Sequence, residues 1–160
     1  MSTVTPTDWT TLPAPRTAQD WIARAAEVAA VLATDAAERD RAGATPHAEV
    51  RLLKDAGLVT LLGPTEHGGA GQDWPTAYRV VREVAKADGS IGQLLGYHYL
   101  WFWAARLVGT REQWEQVEAR ASREQWFFGG AVNPRDKAVV VPRAGAPPVL
   151  PAPESSSPAR

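Results

Sequence analysis

The segment from Asp88 to Gly109 constrains the fold more than any other part of the chain, because it is almost wholly apolar and aromatic. A helix that is apolar on all sides belongs in a protein interior. Tyr97 and His98 interrupt the segment with polar groups, which makes it a poor membrane span. Aromatic rings such as Trp101 and Trp103, placed beside hydroxyls and an imidazole, are typical of a pocket wall. We therefore expect a buried helix that lines a pocket.

Charge and composition exclude several classes of function. The 160 residues carry a net charge of −1, so nothing attracts the chain to nucleic acid or anionic lipid. The chain has no cysteine, which rules out disulfides, thiolate catalysis and cysteine-ligated zinc. Its histidines, His47, His67 and His98, lack a carboxylate at metal-ligand spacing, so we expect no metal site. The N-terminal residues lack the features of a secretion signal, and we expect a cytoplasmic protein without a nucleic-acid or membrane partner.

Signals for helix starts and stops predict an all-α fold. The first helix begins after Thr17, which forms a capping box with Asp20, and ends at Gly43. The second helix has Thr45 as its N-cap and Pro46 in its first position. Apolar residues at helical spacing form the inner face of the first helix: Trp21, Ala25, Val28 and Leu32.

Further helices follow on either side of the aromatic segment. Asp73 caps the preceding helix, and Thr110 and Gln113 form a capping box for the following one. The helix after Asp73 is predicted to bury Tyr78, Val81, Val84 and Ala85. The charged residues of the last helix are expected to be solvated: Glu112, Glu115, Glu118 and Arg120.

The two ends of the chain differ in composition from its middle. Residues 1–16 contain three prolines and are predicted to form a flexible arm. Residues 142–160 are rich in proline, alanine and serine and cannot bury enough apolar surface to fold, so a disordered tail is expected. One folded domain is therefore predicted over residues 17–141, with a short strand-like run at 138–141.

Two features allow alternative interpretations. The glycine-rich loop from Glu66 to Gly71 could direct backbone N–H groups at an anion, but it lacks the ending of a P-loop, and a simple turn is the alternative. His98 is either a core histidine with satisfied hydrogen bonds or a contact to substrate or cofactor.

The aromatic segment also carries two aromatic pairs at i and i+4. They are Tyr97 with Trp101 and Tyr99 with Trp103. Such pairs usually belong to a core, but a hydroxyl in each pair is compatible with one of them lining a cavity.

Four segments carry a resemblance to a known family. They are A-E-R-D-R-A-G (37–43), L-L-G-P-T-E-H-G-G-A-G-Q-D-W-P-T-A (61–77), V-V-R-E-V-A-K-A-D-G-S-I-G (80–92) and L-L-G-Y-H (94–98). With these segments in this order and spacing, the chain resembles the N-terminal helical domain of the acyl-CoA dehydrogenase superfamily. It is most similar to the branch of flavin-dependent monooxygenases typified by dibenzothiophene monooxygenase.

The resemblance implies an orthogonal helical bundle that is followed, in the family, by a small β-barrel and a four-helix bundle. A flavin, FAD or FMN, lies between barrel and bundle, and the N-terminal helices cover the substrate side of its ring. The implied function is that of a monooxygenase acting on a small apolar substrate, in a homo-oligomer. The alternatives are an FAD-dependent dehydrogenase acting on an acyl thioester and a non-catalytic helical interaction module.

The resemblance also implies site residues. Tyr97 and Asn133 are expected to contact the cofactor, and the substrate pocket is expected to contain Gln93, Tyr97, His98 and Trp101. Gln93 stands where relatives carry a histidine, and it cannot shuttle a proton at neutral pH. Gly130 stands where they carry a flavin-contacting asparagine, a role that we expect Asn133 to take. These departures concern the substrate rather than the superfamily.

The resemblance ends just after Val141, before the position of the family's barrel. We therefore expect an N-terminal fragment that forms the substrate-side wall of a flavin pocket. By itself it should bind flavin poorly and show no turnover. The abrupt change of composition at Pro142 suggests that the tail is translated out of frame.

Overall fold

The computed structural model describes residues 7–130, and there the chain is all-α, as predicted. The α-helices of this part are α1 (Ala18–Leu32), α2 (Ala36–Ala42), α3 (His47–Asp55), α4 (Trp74–Ala87), α5 (Gly89–Val108) and α6 (Arg111–Arg123). Short 3₁₀ helices at Trp9–Thr11 and Thr65–His67 precede α1 and α4. Within residues 7–130, no helix is long and apolar enough to cross a membrane.

The starts of α1, α4 and α6 are set by local hydrogen bonds that the sequence predicted correctly. Thr17 Oγ1 accepts from the Asp20 amide at 3.2 Å, and an Asp20 carboxylate oxygen accepts from the Thr17 amide at 2.9 Å. Thr110 and Gln113 form the same reciprocal pair at the start of α6. The side chain of Asp73 caps α4. These bonds satisfy amides that the first turn of a helix leaves without partners.

The first predicted helix is interrupted in the structure. α1 ends at Leu32 and α2 begins at Ala36, while Gly43 ends α2 with a φ of 58°, as predicted. Arg39 Nη2 donates to the Leu32 carbonyl at 2.9 Å and to Asp88 Oδ2 at 2.7 Å. The break is thus stabilised by a residue far along the chain, which the periodicity of the local sequence does not show.

The start of α3 also differs from the prediction. Pro46 rather than Thr45 is the N-cap, and no side chain caps the helix. The Thr45 carbonyl instead accepts from the His47 amide at 2.9 Å. Gly57 follows the helix with a φ of 76°, and a Cβ there would lie 3.3 Å from the Trp21 ring. Glycine is suited to this left-handed backbone and close approach, so the predicted stop is confirmed.

The core lies where α1, α4 and α5 pack in series, and α6 packs against α5. All four residues predicted for the inner face of α1 are buried. The prediction for α4 was wrong in part, because its buried face includes Ala77, Val80 and Val84. Tyr78 is 65% exposed. α4 contacts α1 on one side and α5 on the other, so Val81 and Ala85 lie toward α5.

Residues 7–16 were predicted to belong to a flexible arm; most of them are exposed, but Trp9 packs into the core. Trp9 is 4% exposed. The Arg24 guanidinium lies 5.6 Å from the centroid of the Trp9 ring and donates to the Pro13 carbonyl at 2.9 Å. Burial of the Trp9 indole removes a large apolar area from water, which stabilises this packing. Asn133, the run at 138–141 and the tail at 142–160 lie outside the described residues.

Candidate functional site

α5 has a buried and an exposed side, although its sequence is apolar on both. Leu95 and Tyr99 lie in the core. On the other side, Tyr97 is 51% exposed and Val108 is 79% exposed. We call this exposed row the α5 crest; it consists of Gln93, Tyr97, Leu100, Leu107 and Val108. The predicted burial of the helix is therefore correct for one side only.

An open groove of about 410 Å³ lies between α4 and α5, beside the crest. Its lining residues are uncharged, namely Val81, Ala85, Gly92, Gln93, Gly96, Tyr97 and Leu100. A Cβ at Gly92 would lie 2.5 Å from Ala85 Cβ, whereas a Cβ at Gly96 would meet only Val81 Cγ1, at 3.6 Å. Gly92 therefore permits the close approach of the helices, and Gly96 leaves room in the groove.

Two polar side chains border this apolar groove. Gln93 and Tyr97 lie one helical turn apart on α5, and both are exposed. The glutamine amide and the tyrosine hydroxyl can each donate and accept a hydrogen bond. An apolar surface with a few placed polar groups is the usual composition of a small-molecule site. The structure thus brings two of the predicted site residues together.

Trp101 lies one turn beyond Tyr97 but does not line the groove. The residue is half-buried, and its indole Nε1 is enclosed without a hydrogen-bond partner among residues 7–130. A buried donor without a partner costs about 1–3 kcal/mol. Trp101 therefore joins the candidate site only as a flanking residue with an unused N–H group.

His98 is fully buried, and both of its ring nitrogens have backbone partners. Nε2 lies 2.7 Å from the Val59 carbonyl oxygen, and Nδ1 accepts from the Phe128 amide at 3.0 Å. Burial is the main cause that lowers the pKa of His98 to about 4, with the nearby positive charge of Lys54 also lowering it. The ring is therefore neutral at pH 7 and carries its proton on Nε2. His98 is therefore a core histidine whose hydrogen bonds are satisfied, and it exposes no atom that could contact a substrate.

Of the two aromatic pairs, only Tyr97 lines the groove. Tyr99 is buried and its hydroxyl donates to the Leu58 carbonyl at 2.6 Å, and burial raises its pKa. Trp103 packs edge-on against Trp74, with ring centroids 6.1 Å apart. The second pair is therefore part of the core packing.

The glycine-rich loop is a structural turn. The amides of Gly69, Ala70 and Gly71 donate to the carbonyls of Pro64, Thr60 and Gly63, at 2.8–3.0 Å. These N–H groups are therefore not available to an anion. Among residues 7–130, no group of three or more His, Asp or Glu side chains could hold a metal ion.

An ion pair between the exposed Arg106 and a buried carboxylate fixes the second half of α5 against α6, and the sequence did not reveal it. Glu118 was expected to be solvated, but it is buried and accepts from Arg106 Nε at 2.5 Å and Nη2 at 2.7 Å. The guanidinium also lies 4.3 Å from the centroid of the Trp114 ring. Such a bidentate pair satisfies both carboxylate oxygens. Its partners come from different helices, so neither helix alone contains the signal.

Comparison with known proteins identifies the fold. Residues 17–123 match the family model of the acyl-CoA dehydrogenase N-terminal domain. The chain belongs to the acyl-CoA dehydrogenase family. The resemblance inferred from the four sequence segments is thereby confirmed, and α5 with its groove belongs to the family's N-terminal helical domain.

Relatives in this family include flavin-dependent monooxygenases. The chain is 42% identical over 120 residues to a probable FMNH2-dependent monooxygenase, SfnC, of Pseudomonas putida, covering 75% of this chain and 30% of that protein. It is 43% identical over 113 residues to dibenzothiophene monooxygenase of Rhodococcus qingshengii, covering 71% and 27%. The structure of TdsC from Paenibacillus sp. A11-2 with FMN and indole aligns with a TM-score of 0.63 and 41% identity, covering 67% of this chain and 27% of TdsC. The chain thus spans less than a third of these relatives.

The described residues fit one side of a flavin site. The groove between α4 and α5 has an uncharged lining. At Gly96, one of its lining residues, an added Cβ would meet only Val81 Cγ1. An aromatic ring system and an apolar substrate can lie against such a surface, and Gln93 and Tyr97 offer hydrogen bonds at its edge. α5 has no charged residue before Arg106, so no fixed charge opposes an apolar ligand there.

Proposed function

We propose that this chain forms the substrate-side wall of the FMN pocket of a flavin-dependent monooxygenase, with a small apolar substrate lying against the α5 groove. The supporting observation is the uncharged groove bordered by Gln93 and Tyr97 in a domain whose relatives include FMN-dependent enzymes. A reduced flavin supplies the electrons that activate oxygen for transfer to the substrate. The apolar lining of the groove would help to exclude water from that reaction.

The chain's own residues would bind and orient the substrate. The Tyr97 hydroxyl can donate to a heteroatom of the substrate or the flavin, and the Gln93 amide can hold the opposite edge. Because a glutamine does not titrate near neutral pH, Gln93 can position a proton donor or acceptor but cannot transfer a proton itself. Trp101 would complete the flank of the pocket with its unused indole N–H group.

The relatives indicate which flavin this pocket would hold. We infer FMN rather than FAD because FMN is named with SfnC, as FMNH2, and with TdsC. Tyr97 is the residue of the described chain that we assign to the cofactor, and Asn133 is assigned with it from the sequence. We also infer a homo-oligomer for the intact enzyme.

Ligand titration followed by NMR tests the proposal. Indole and reduced FMN, added separately to the ¹⁵N-labelled chain without oxygen, should shift the amide resonances of Gln93, Tyr97 and Leu100. Tyr97→Phe should weaken the response to reduced FMN by about 2- to 10-fold, the worth of one hydrogen bond, while Gln116→Ala on the exposed face of α6 should leave it unchanged. Shifts confined to residues outside α4 and α5, or none at millimolar ligand, would refute the assignment.

The exposed α5 crest favours one second candidate, a helical interaction module. Leu107 is 69% exposed and continues the apolar row beyond the groove. Apolar patches of this kind commonly mark contacts with other proteins. Concentration-dependent self-association in sedimentation experiments, together with no resonance shifts on adding ligand, would support the module over the flavin pocket.

A further inference from the structure

His98 joins three parts of the chain that are distant in sequence. Its ring belongs to α5, its Nε2 faces the Val59 carbonyl in the turn after α3, and its Nδ1 accepts from the Phe128 amide beyond α6. The Phe127 ring stacks on the imidazole at a centroid distance of 4.9 Å and an interplanar angle of 11°. The imidazole is therefore held by hydrogen bonds at both nitrogens and by a ring on its face.

We propose that His98 is a positioning residue, fixed as the Nε2–H tautomer, which anchors the segment from Trp126 to Phe128 to the back of the helix that carries Tyr97. The segment has no helical hydrogen bonds of its own, and its backbone amides are held at two points. The Trp126 amide donates to the Ala121 carbonyl at 3.0 Å, and the next backbone anchor along the chain is the Phe128 amide on His98. His98 thus determines where the chain lies as it leaves the helical domain.

A neutral ring is essential to this role. Nδ1 must keep its lone pair to accept from Phe128, and Nε2 must keep its proton to donate to Val59. Protonation would convert Nδ1 into a second donor facing an N–H group. Lys54 adds an unfavourable positive charge for the imidazolium, and the adjacent Tyr99 is a neutral phenol bonded to the Leu58 carbonyl. The environment therefore selects the one protonation state that can bridge both backbone groups.

The inference goes beyond the proposed function in assigning His98 a role that involves no ligand. It depends on the proposed function in one respect: the anchored segment, Trp126 to Phe128, is taken to continue the wall of the flavin pocket. Tyr97 precedes His98 on α5, about 100° away around the helix axis, and lines the groove, so the same rigid element carries the anchor and the candidate ligand contact. A ring that holds the segment from behind would affect ligand binding without contacting the ligand.

Three variants and one spectroscopic measurement test the proposal without any flavin. ¹⁵N resonances of the imidazole in the wild-type chain should show a neutral ring with the proton on Nε2 at pH 7. In His98→Gln, whose amide can both donate to Val59 and accept from Phe128, hydrogen exchange at the Phe128 amide should stay within about 3-fold of wild type. In His98→Phe, which keeps the stacking but loses both bonds, exchange there should be about 10-fold faster. Tyr99→Phe removes the neighbouring bond to Leu58 and should leave Phe128 exchange unchanged.

The outcomes are distinguishable from those of the ligand titrations. An Nδ1–H tautomer or a charged ring in the wild-type chain would overturn the proposal even if His98→Phe failed to fold. Unchanged exchange in His98→Phe, or fast exchange in His98→Gln, would also overturn it, because the two hydrogen bonds would then not be the anchor. A wild-type chain that passes these tests but gives no ligand shifts would refute the proposed function and leave the anchor in place.

Discussion

The crossing of α4 and α5 offers a sharp test of the groove, because two glycines on one helix face differ in the space around them. At Gly92 a Cβ would lie 2.5 Å from Ala85 Cβ and 2.7 Å from Ala85 Cα. At Gly96 the added Cβ would meet only Val81 Cγ1, at the ordinary contact distance of 3.6 Å. The same substitution by alanine should therefore have opposite effects one helical turn apart.

The magnitudes follow from two competing terms. Replacing glycine by alanine inside a helix stabilises it by about 1 kcal/mol. Gly96→Ala should realise most of this gain and raise the free energy of unfolding by about 0.5–1 kcal/mol. At Gly92 the overlap with the Ala85 backbone forces the helices apart, at about 1–3 kcal/mol. Gly92→Ala should therefore be destabilising by up to about 2 kcal/mol after the helical gain is subtracted.

Urea unfolding followed by far-ultraviolet circular dichroism measures both values. Gly89→Ala, at the first position of α5 where a Cβ would have no neighbour within 4 Å, serves as the control. Stabilisation by Gly92→Ala equal to that of Gly96→Ala would refute the close approach of α4 and α5. In the NMR titration, Gly96→Ala should also weaken the indole response at Tyr97, since its methyl group occupies the groove. An unchanged response in a stable Gly96→Ala variant would place the ligand elsewhere.

Further predictions concern burial and charge. Burial lowers the pKa of His98 to about 4, below the ordinary histidine value of 6.5. Its contribution to stability is therefore present above pH 6.5 and is lost as the pH falls toward 4, so urea unfolding should show a loss of about 2–3 kcal/mol by pH 4.5 that is absent in His98→Gln. Arg106→Met leaves the Glu118 carboxylate buried without a partner and should cost about 3 kcal/mol, whereas Glu118→Gln should cost less, because its amide oxygen can still accept from Arg106. Trp9→Ala should cost about 3 kcal/mol in the same assay, while a flexible arm would give no change. Leu107→Glu should reduce self-association in sedimentation experiments if the α5 crest mediates it.

Features encoded within a few residues could be predicted from the sequence. The capping boxes at Thr17 and Thr110 each place donor and acceptor three residues apart, so their geometry is local. At the break between α1 and α2, Arg39 bonds to Asp88, which lies beyond α3 and α4 in the sequence and meets Arg39 only in the folded chain. Glu118 misled the prediction for the same reason, since its partner Arg106 lies on another helix. Local signals therefore define where α1, α4 and α6 start, whereas tertiary contacts decide which polar residues of the helices are buried.

The candidate site shows the same division. Gln93 and Tyr97 were singled out by resemblance, and the structure places both at the groove, but the groove itself needs Val81 and Ala85 from α4. The helical periodicity of α4 predicted that Val81, Ala85 and Tyr78 are buried in the core. The apolar face of α4 is wider than the part that is buried, because the helix contacts two neighbours, so periodicity alone could not separate core residues from groove residues. The partners of His98 could not be read from α5, because both are backbone groups of distant segments.

The two sides of α5 make different demands on the sequence. The buried side contributes to the stability of this domain, because Leu95 packs in the apolar core and the buried Tyr99 hydroxyl donates to the Leu58 carbonyl. The crest gains nothing from the domain itself, because Leu107 and Val108 remain in water. Folding of the domain does not require the α5 crest to be apolar. Its apolar side chains are better explained by contact with a ligand or another protein surface. Near Tyr97 the groove suggests a ligand, whereas Leu107 and Val108 do not line that groove and a protein surface is the better match for them.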